Sequence, residues 1–526
     1  MRGAILGALL WAGCGGMDSG QHESTPVEEQ SPPDSGGTTT PPGGNPNGAD
    51  AGTTPKPDAG VKPDAGTPAK DAGTGPIDAG SAPVDAGTPD AGLPPINFPN
   101  SAGWTFYGPQ DGLPAHLYGI SADEGGNLWV AGGEDGLFLL RPGATTFEKF
   151  TMADGLHPYG FMPDGSDAPG PHYLKVISVE GGPSGTVFVG YEGKPPGPGQ
   201  VDCEGNWDNA NPDPSIYKSG DADKVKLTSS GISVVHYDIF SGPASAPPNE
   251  PRGREKLCNI YRLVWDKAAS RIWFGANHGF AMGDANYTGN NTCNGNQSCS
   301  GLMEHVHPAV NGYPGNSRSA GEALLTGDYR GVVVDPNTHN VFFGGINRST
   351  LFTFGTHGGL SNAAAGYWGG QSDTEGNAAF KWDIWPDAVA NDSIASERTD
   401  DTVFGAATNG DGTFWVGSAA NGMAHVSSSG TVLGYLKNDL ISSNVSAVEA
   451  DPLDGSIWAG ARWGGGVNRI KGGQVTHYSL SVFGPNLANL PVTDVQSMGS
   501  GGSRKILVTF DGQGSSPGAV GIYSGS

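Results

Sequence analysis

Basic side chains are scarce in this chain: 28 Lys and Arg stand against 53 Asp and Glu, a formal net charge of −25. Such a balance provides no broad field to draw nucleic acid or an anionic lipid surface, so nucleic acid is not expected as a partner; only a local basic patch remains compatible with it. Charged residues make up 15% of the 526 residues, and no long amphipathic helix is evident, which argues against a helical bundle. The spacings that mark common catalysts are missing as well. There is no G-x-S-x-G, no H-E-x-x-H, no phosphate-binding loop and no complete calcium loop; "GNSRS" at Gly315 fails at its last position. No catalytic residue, metal or cofactor is therefore assigned, and whether the chain is an enzyme stays open.

From Gly15 to Leu93 there is not one aromatic residue. A segment of Pro, Gly, Ser, Thr, Ala and Asp cannot bury enough apolar area to offset chain entropy, so residues 14–94 are expected to be a disordered linker. Seven Asp-Ala-Gly triplets run through it, from Asp50 to Asp90. They supply scattered single carboxylates rather than the converging oxygens of a calcium site. Flexible-coil scaling over roughly 80 residues gives a reach of about 50 Å.

What precedes the linker has the make-up of an export signal. In "MRGAILGALLWAGCGG" one positive charge at Arg2 is followed by an apolar run from Ala4 to Trp11 and by small residues before Cys14. That order resembles a bacterial lipoprotein signal peptide over residues 1–13, which implies lipidation of Cys14. Gly15 after the cysteine is similar to lipoproteins sent to the outer membrane. The resemblance implies a cell-envelope location, periplasmic or surface-exposed, with the membrane as a partner through the lipid anchor.

Glycine and proline are abundant, with 88 and 41 residues, and beyond Pro94 they punctuate a repeated hairpin. Its second strands are "LWVAG" at Trp129, "VFVG" at Phe188, "IWFG" at Trp273, "VFFG" at Phe342, "FWVG" at Trp415, "IWAG" at Trp458 and "ILVT" at Leu507. Each follows an apolar strand holding Ile120, Ile177, Val264, Val333, Phe404, Val448 or Val495. Between the two strands lie turns such as "DEGGN" and "DPLDG", where Asp and Asn bond their own backbone and Gly supplies positive φ. Successive core residues are 43 to 85 residues apart, and the shortest spacings, 43 and 49, match one four-stranded propeller blade. Residues 95–526 are thus expected to form an all-β, seven-bladed β-propeller. The last unit has three strands of its own, so "WTFYG" at Trp104 is expected to supply its fourth.

Around "DGLP", "DGLH" and "NDLI" followed by "LWV" or "IWA", the chain resembles the two-component-regulator propeller repeat of periplasmic sensor domains. The match is good near residues 104–160 and 404–480 and weak between 190 and 400. No kinase follows it here, so signalling within one chain is not implied.

Four further cysteines form an even set in a chain read as exported, which suggests disulfides. Strand order in an up-and-down blade puts Cys203 and Cys258 on one face, and Cys293 and Cys299 in one insertion. The expected pairs are Cys203 with Cys258 and Cys293 with Cys299; the spacings lack a short paired zinc motif.

The same face argument gathers candidate binding residues at the mouth of the central channel: His116, His172, Tyr261, Arg330, Asp401 and Asn444 entering first strands, and Asp135, His278, Arg348, Arg462 and Trp463 after second strands. The leading function is a tethered, monomeric binding or interaction scaffold for a glycan, peptide or protein partner. One alternative is a metal-assisted lyase or lactonase-like enzyme using mouth His and carboxylates. Another is a ligand-sensing accessory to a separate membrane kinase.

Overall fold

The computed structural model describes residues 93–159, 172–193, 220, 222–237, 259–276, 279–289, 304–313, 321–324, 327–347, 363–368, 375–378 and 403–525. The export signal, the linker up to residue 92, and Cys14, Cys203, Cys258, Cys293 and Cys299 lie outside these residues, as do His278, Arg348 and Asp401.

After β1 (Trp104–Tyr107), the first sheet holds β2 (Gly119–Ala122), β3 (Leu128–Ala131), β4 (Leu137–Leu140) and β5 (Glu148–Phe150). The second holds β6 (Val176–Gly181), β7 (Thr186–Tyr191), β8 (Ala222–Thr228) and β9 (Gly231–Tyr237). The third comprises β10 (Ile260–Asp266), β11 (Arg271–Ala276), β12 (Gly279–Asp284), β13 (Glu304–Tyr313) and β14 (Gly321–Leu324), and the fourth β15 (Gly327–Val334), β16 (Val341–Asn347) and β17 (Ala363–Trp368). After β18 (Glu375–Ala378) come β19 (Val403–Ala407), β20 (Thr413–Ser418), β21 (Met423–Ser427) and β22 (Val432–Leu436), then β23 (Val445–Ala450), β24 (Ile457–Ala461), β25 (Val467–Lys471) and β26 (Gln474–Tyr478). The last sheet is β27 (Val492–Met498), β28 (Lys505–Phe510) and β29 (Ala519–Tyr523), completed by β1.

All seven expected hairpins form as antiparallel pairs. Their first strands touch one another in succession, and β27 returns to β2, so the fold is a closed β-propeller. The expectation of a seven-bladed propeller needs correction: among the described residues there are six full blades, not seven. Six sheets have four or more strands, but the fourth has three among the described residues. The next strand, β18, pairs in parallel with β13 of the preceding sheet instead of extending β17.

Closure follows the expected route. Trp104 sits opposite Tyr523 and Tyr107 opposite Val520 in an antiparallel register. Trp104 is buried among aromatic rings, with centroids 5.0 Å from Phe483, 5.2 Å from Tyr523 and 5.6 Å from Tyr478. Phe483 comes from a short helical segment, Leu480–Ala488, and also meets Phe510 edge-on at 5.0 Å.

The repeated turn has a buried carboxylate at its centre. Asp123 Oδ1 accepts from Gly125 N at 2.7 Å and Asn127 N at 3.2 Å; Oδ2 accepts from Trp129 Nε1 at 3.1 Å and, across the blade boundary, from Gly185 N at 3.0 Å. Asp451 repeats the pattern, accepting from Leu453 N at 2.9 Å and Trp458 Nε1 at 3.4 Å. Its cross-boundary partner is Arg504, whose Nε lies 2.9 Å from Oδ1. In the third sheet Asp266 meets His339 of the fourth at 3.0 Å. Each Asp therefore shapes its own turn, and a hydrogen bond or ion pair ties it to the next blade.

The glycine that ends the second-strand motif is explained by close approach. A Cβ on Gly460 would lie 2.5 Å from Val492 of the next first strand, and one on Gly417 2.6 Å from Val445. Of the motif aromatics, Trp129, Phe188, Trp273, Phe342 and Trp458 are fully buried. Trp415 is not. There Phe414 takes the inter-blade position, stacked on Phe342 at 5.0 Å, and Trp415 lies half-buried on the ring of His425 at 4.4 Å.

Candidate functional site

First strands converge as they run along the ring axis, and their opening residues enclose a cavity of about 330 Å³. Tyr261, Arg330, Arg462 and Trp463, four of the residues expected at the mouth, line it. The Arg330 guanidinium lies 3.6 Å from the centroid of Tyr261 and 5.0 Å from Phe404; Arg462 lies 3.9 Å from Phe404 and 4.5 Å from Trp463. Two cations thus share one ring, Phe404, and each is held by a second ring as well. Burial and then the charge of Arg330 push the Arg462 pKa down to about 10. Neither arginine is within ion-pair distance of a described carboxylate. Trp463 is 61% exposed, so much of its ring faces solvent.

Asn444 supports this pair rather than joining it: its carbonyl accepts from Arg462 N at 2.9 Å, and its side chain donates to Ser442 Oγ at 3.3 Å. His116 stands at the rim with Nδ1 3.0 Å from Asp511, which lines the cavity. Asp135 is exposed and paired with Lys149 at 2.8 Å, outside the cavity lining. His172 also lies apart, stacked at 3.5 Å on Tyr159. His116 and His172 belong to no common metal-ligand cluster among the described residues.

Further along the same strands lies a second charged group that the mouth argument missed. Arg262 Nη1 is 3.3 Å from Asp494 Oδ1, and Asp494 also accepts from Ile120 N at 3.1 Å and Val495 N at 2.9 Å. Glu180 accepts from Trp265 N at 3.2 Å, while Glu449 accepts from Ser497 N at 3.1 Å and its hydroxyl at 2.6 Å. Arg262 is thus paired directly with Asp494, while Glu180 and Glu449 act on it through charge alone. Burial pushes Glu180 up to about 7, with Arg262 opposing and the other two carboxyls adding. Glu449 is likewise raised to about 7, chiefly by burial. Asp494 is raised by burial, and its bonds and Arg262 restrain the shift. The signal was present in the strands themselves: "VISVEG", "IYRLVWD", "VSAVEA" and "VTDVQSM" each set a charged residue among the apolar positions of a first strand.

No family profile matches this chain, and no curated protein matches it. Solved structures do. The chain is similar to a streptogramin B lyase (12% identity, 80% of this chain and 97% of the other, TM-score 0.42) and to YCF48 from Cyanidioschyzon merolae (11%, 80% and 99%, 0.44). It is also similar to the extracellular domain of a protein described as a one-component system from B. thetaiotaomicron (14% identity, 80% and 41%, TM-score 0.41). At these values the likenesses assign no activity, and the propeller fold stands on the chain's own sheets and their closed order.

Proposed function

We propose that the propeller is a binding module whose cavity mouth takes an acidic glycan, with the carboxylate or sulfate on Arg330 and Arg462 and a sugar face against Trp463. One observation carries this: two half-buried guanidiniums, set over the rings of Tyr261, Phe404 and Trp463, line a cavity in a chain of net charge −25, and neither is within ion-pair distance of a described carboxylate. Paired guanidiniums match planar oxyanions in a two-pronged geometry, and exposed indoles stack on the apolar faces of sugars. Titration of uronate- and sulfate-bearing oligosaccharides by calorimetry tests it. Arg330→Ala and Arg462→Ala should each weaken binding at least tenfold, and neutral oligosaccharides should bind far more weakly. Equal binding of neutral sugars, or preference for acidic peptides, would overturn the glycan assignment.

A second reading has its own support. Glu180 and Glu449, both raised to about 7 in the ring interior, are poised to exchange protons near neutrality, as an acid–base pair in a lyase or hydrolase would be.

The lipoprotein-like start supports a further part of the proposal, that Cys14 is acylated and residues 14–94 tether the propeller to the outer membrane. Incorporation of a fatty-acid precursor, lost in Cys14→Ala, is the expected result; unchanged labelling in the variant would refute it.

A further inference from the structure

Away from the cavity lining, the second sheet carries a cluster of metal-ligating side chains that the binding proposal does not use. Asp223, second in β8, and His236, sixth in β9, are directly opposed in the antiparallel register. Their side chains are 0% and 2% exposed, and His236 Nδ1 lies 2.8 Å from Asp223 Oδ1. His157, from the segment joining the first and second sheets, brings its ring to 4.7 Å from that of His236. One donor atom from each of the three lies within 4.8 Å of the others.

We infer that His157, Asp223 and His236 form a binding site for a divalent first-row transition ion of the kind that prefers imidazole, Zn²⁺ above all. The carboxylate is already oriented for the task. Its Oδ2 accepts from Tyr191 OH at 2.5 Å and from His157 N at 2.7 Å, which turns Oδ1 toward the imidazoles. Outer bonds of this kind fix a ligand before the ion arrives. An ion bound between Oδ1 and His236 Nδ1 replaces the hydrogen now shared there, and that proton leaves to solvent. Donors around a tetrahedral zinc stand about 3.4 Å apart for bonds near 2.1 Å. The half-buried His157 ring therefore needs to close by roughly an ångström, which its place on a connecting segment permits. Two imidazoles and one carboxylate leave a fourth position for water or a ligand atom.

The alternative is a hydrogen-bonded His–Asp–Tyr hub that holds the joining segment and takes no ion. Calorimetry of the chelator-treated full chain with Zn²⁺ in excess Mg²⁺ distinguishes them. The site predicts one tight ion that raises Tm by mass action, and at least about 100-fold weaker binding in both His157→Gln and His236→Gln. Co²⁺ in its place should give the intense visible bands of a low-coordinate ion, lost in the same variants. Should the buried His236→Gln fail to fold, His157→Gln decides alone, because its backbone N–H to Asp223 is retained. No zinc-dependent rise in Tm, or zinc binding unchanged in His157→Gln, would overturn the inference.

Discussion

The carboxylates at the hairpin turns are withdrawn from water and those in the ring interior less completely so, yet it is the interior ones that resist ionisation. At the turns, Asp123 receives five hydrogen bonds and Asp451 faces Leu453 N, the Trp458 indole and the Arg504 guanidinium. Inside the ring, among the described residues, Glu180 accepts only from Ser121 and Trp265 N and Glu449 only from Ser497, neither in a direct ion pair, and both are pushed up to about 7. A buried carboxylate that is surrounded by donors holds structure together; one that is short of donors resists ionisation and is free to react to a ligand or a proton. The difference separates scaffold from site without appeal to motif.

Removing a turn carboxylate should have the largest effect. Asp451→Ala strands Arg504, whose side chain is 1% exposed, and leaves a buried indole N–H without its acceptor. A loss of about 3–5 kcal/mol is expected, read as a lower midpoint in urea unfolding, with both Trp458 and the last blade loosened. A loss below about 1 kcal/mol would break the contrast.

The interior carboxyls should respond with the opposite sign. Their folded pKa lies above the unfolded value, so the native state holds more protons. The stability they contribute is fully present below about pH 4.5 and is lost as pH rises through about 7. Glu180→Gln and Glu449→Gln should each flatten that slope and stabilise the protein at pH 8 by on the order of 1–3 kcal/mol relative to wild type. Thermal unfolding across pH 4–8 checks this; an unchanged slope in both variants would show that the two glutamates are solvated scaffold after all.

The same contrast explains what could be read from the chain alone. Inner hairpins were legible because they depend on local rules: apolar strands, Asp and Gly turns, and an aromatic at a fixed place. Trp104 was legible because the last unit falls one strand short. The cross-boundary bonds from Asp123 to Gly185 and from Asp451 to Arg504 were not, since their partners belong to another repeat. Trp415 misled because Phe414 beside it satisfies the same pattern. At the mouth, Tyr261, Arg330, Arg462 and Trp463 were found by strand direction, whereas His172 and Asp135, chosen the same way, lie outside the cavity lining. Direction along a strand is written in sequence; distance from the axis depends on how far each connection swings outward. Arg262, Glu180 and Glu449 fall outside a mouth argument built on loops because they sit inside strands.

The pairing of Trp104–Tyr107 with Ala519–Tyr523 also governs how the protein comes into being. Partners that meet in one sheet lie more than 400 residues apart in the chain, so the leading strand stays unpaired until the trailing one has been made. Contacts so distant in sequence make ring sealing a late and slow event. Through that interval the exposed aromatic edge is a hazard, and the step at which a chaperone would have most to do.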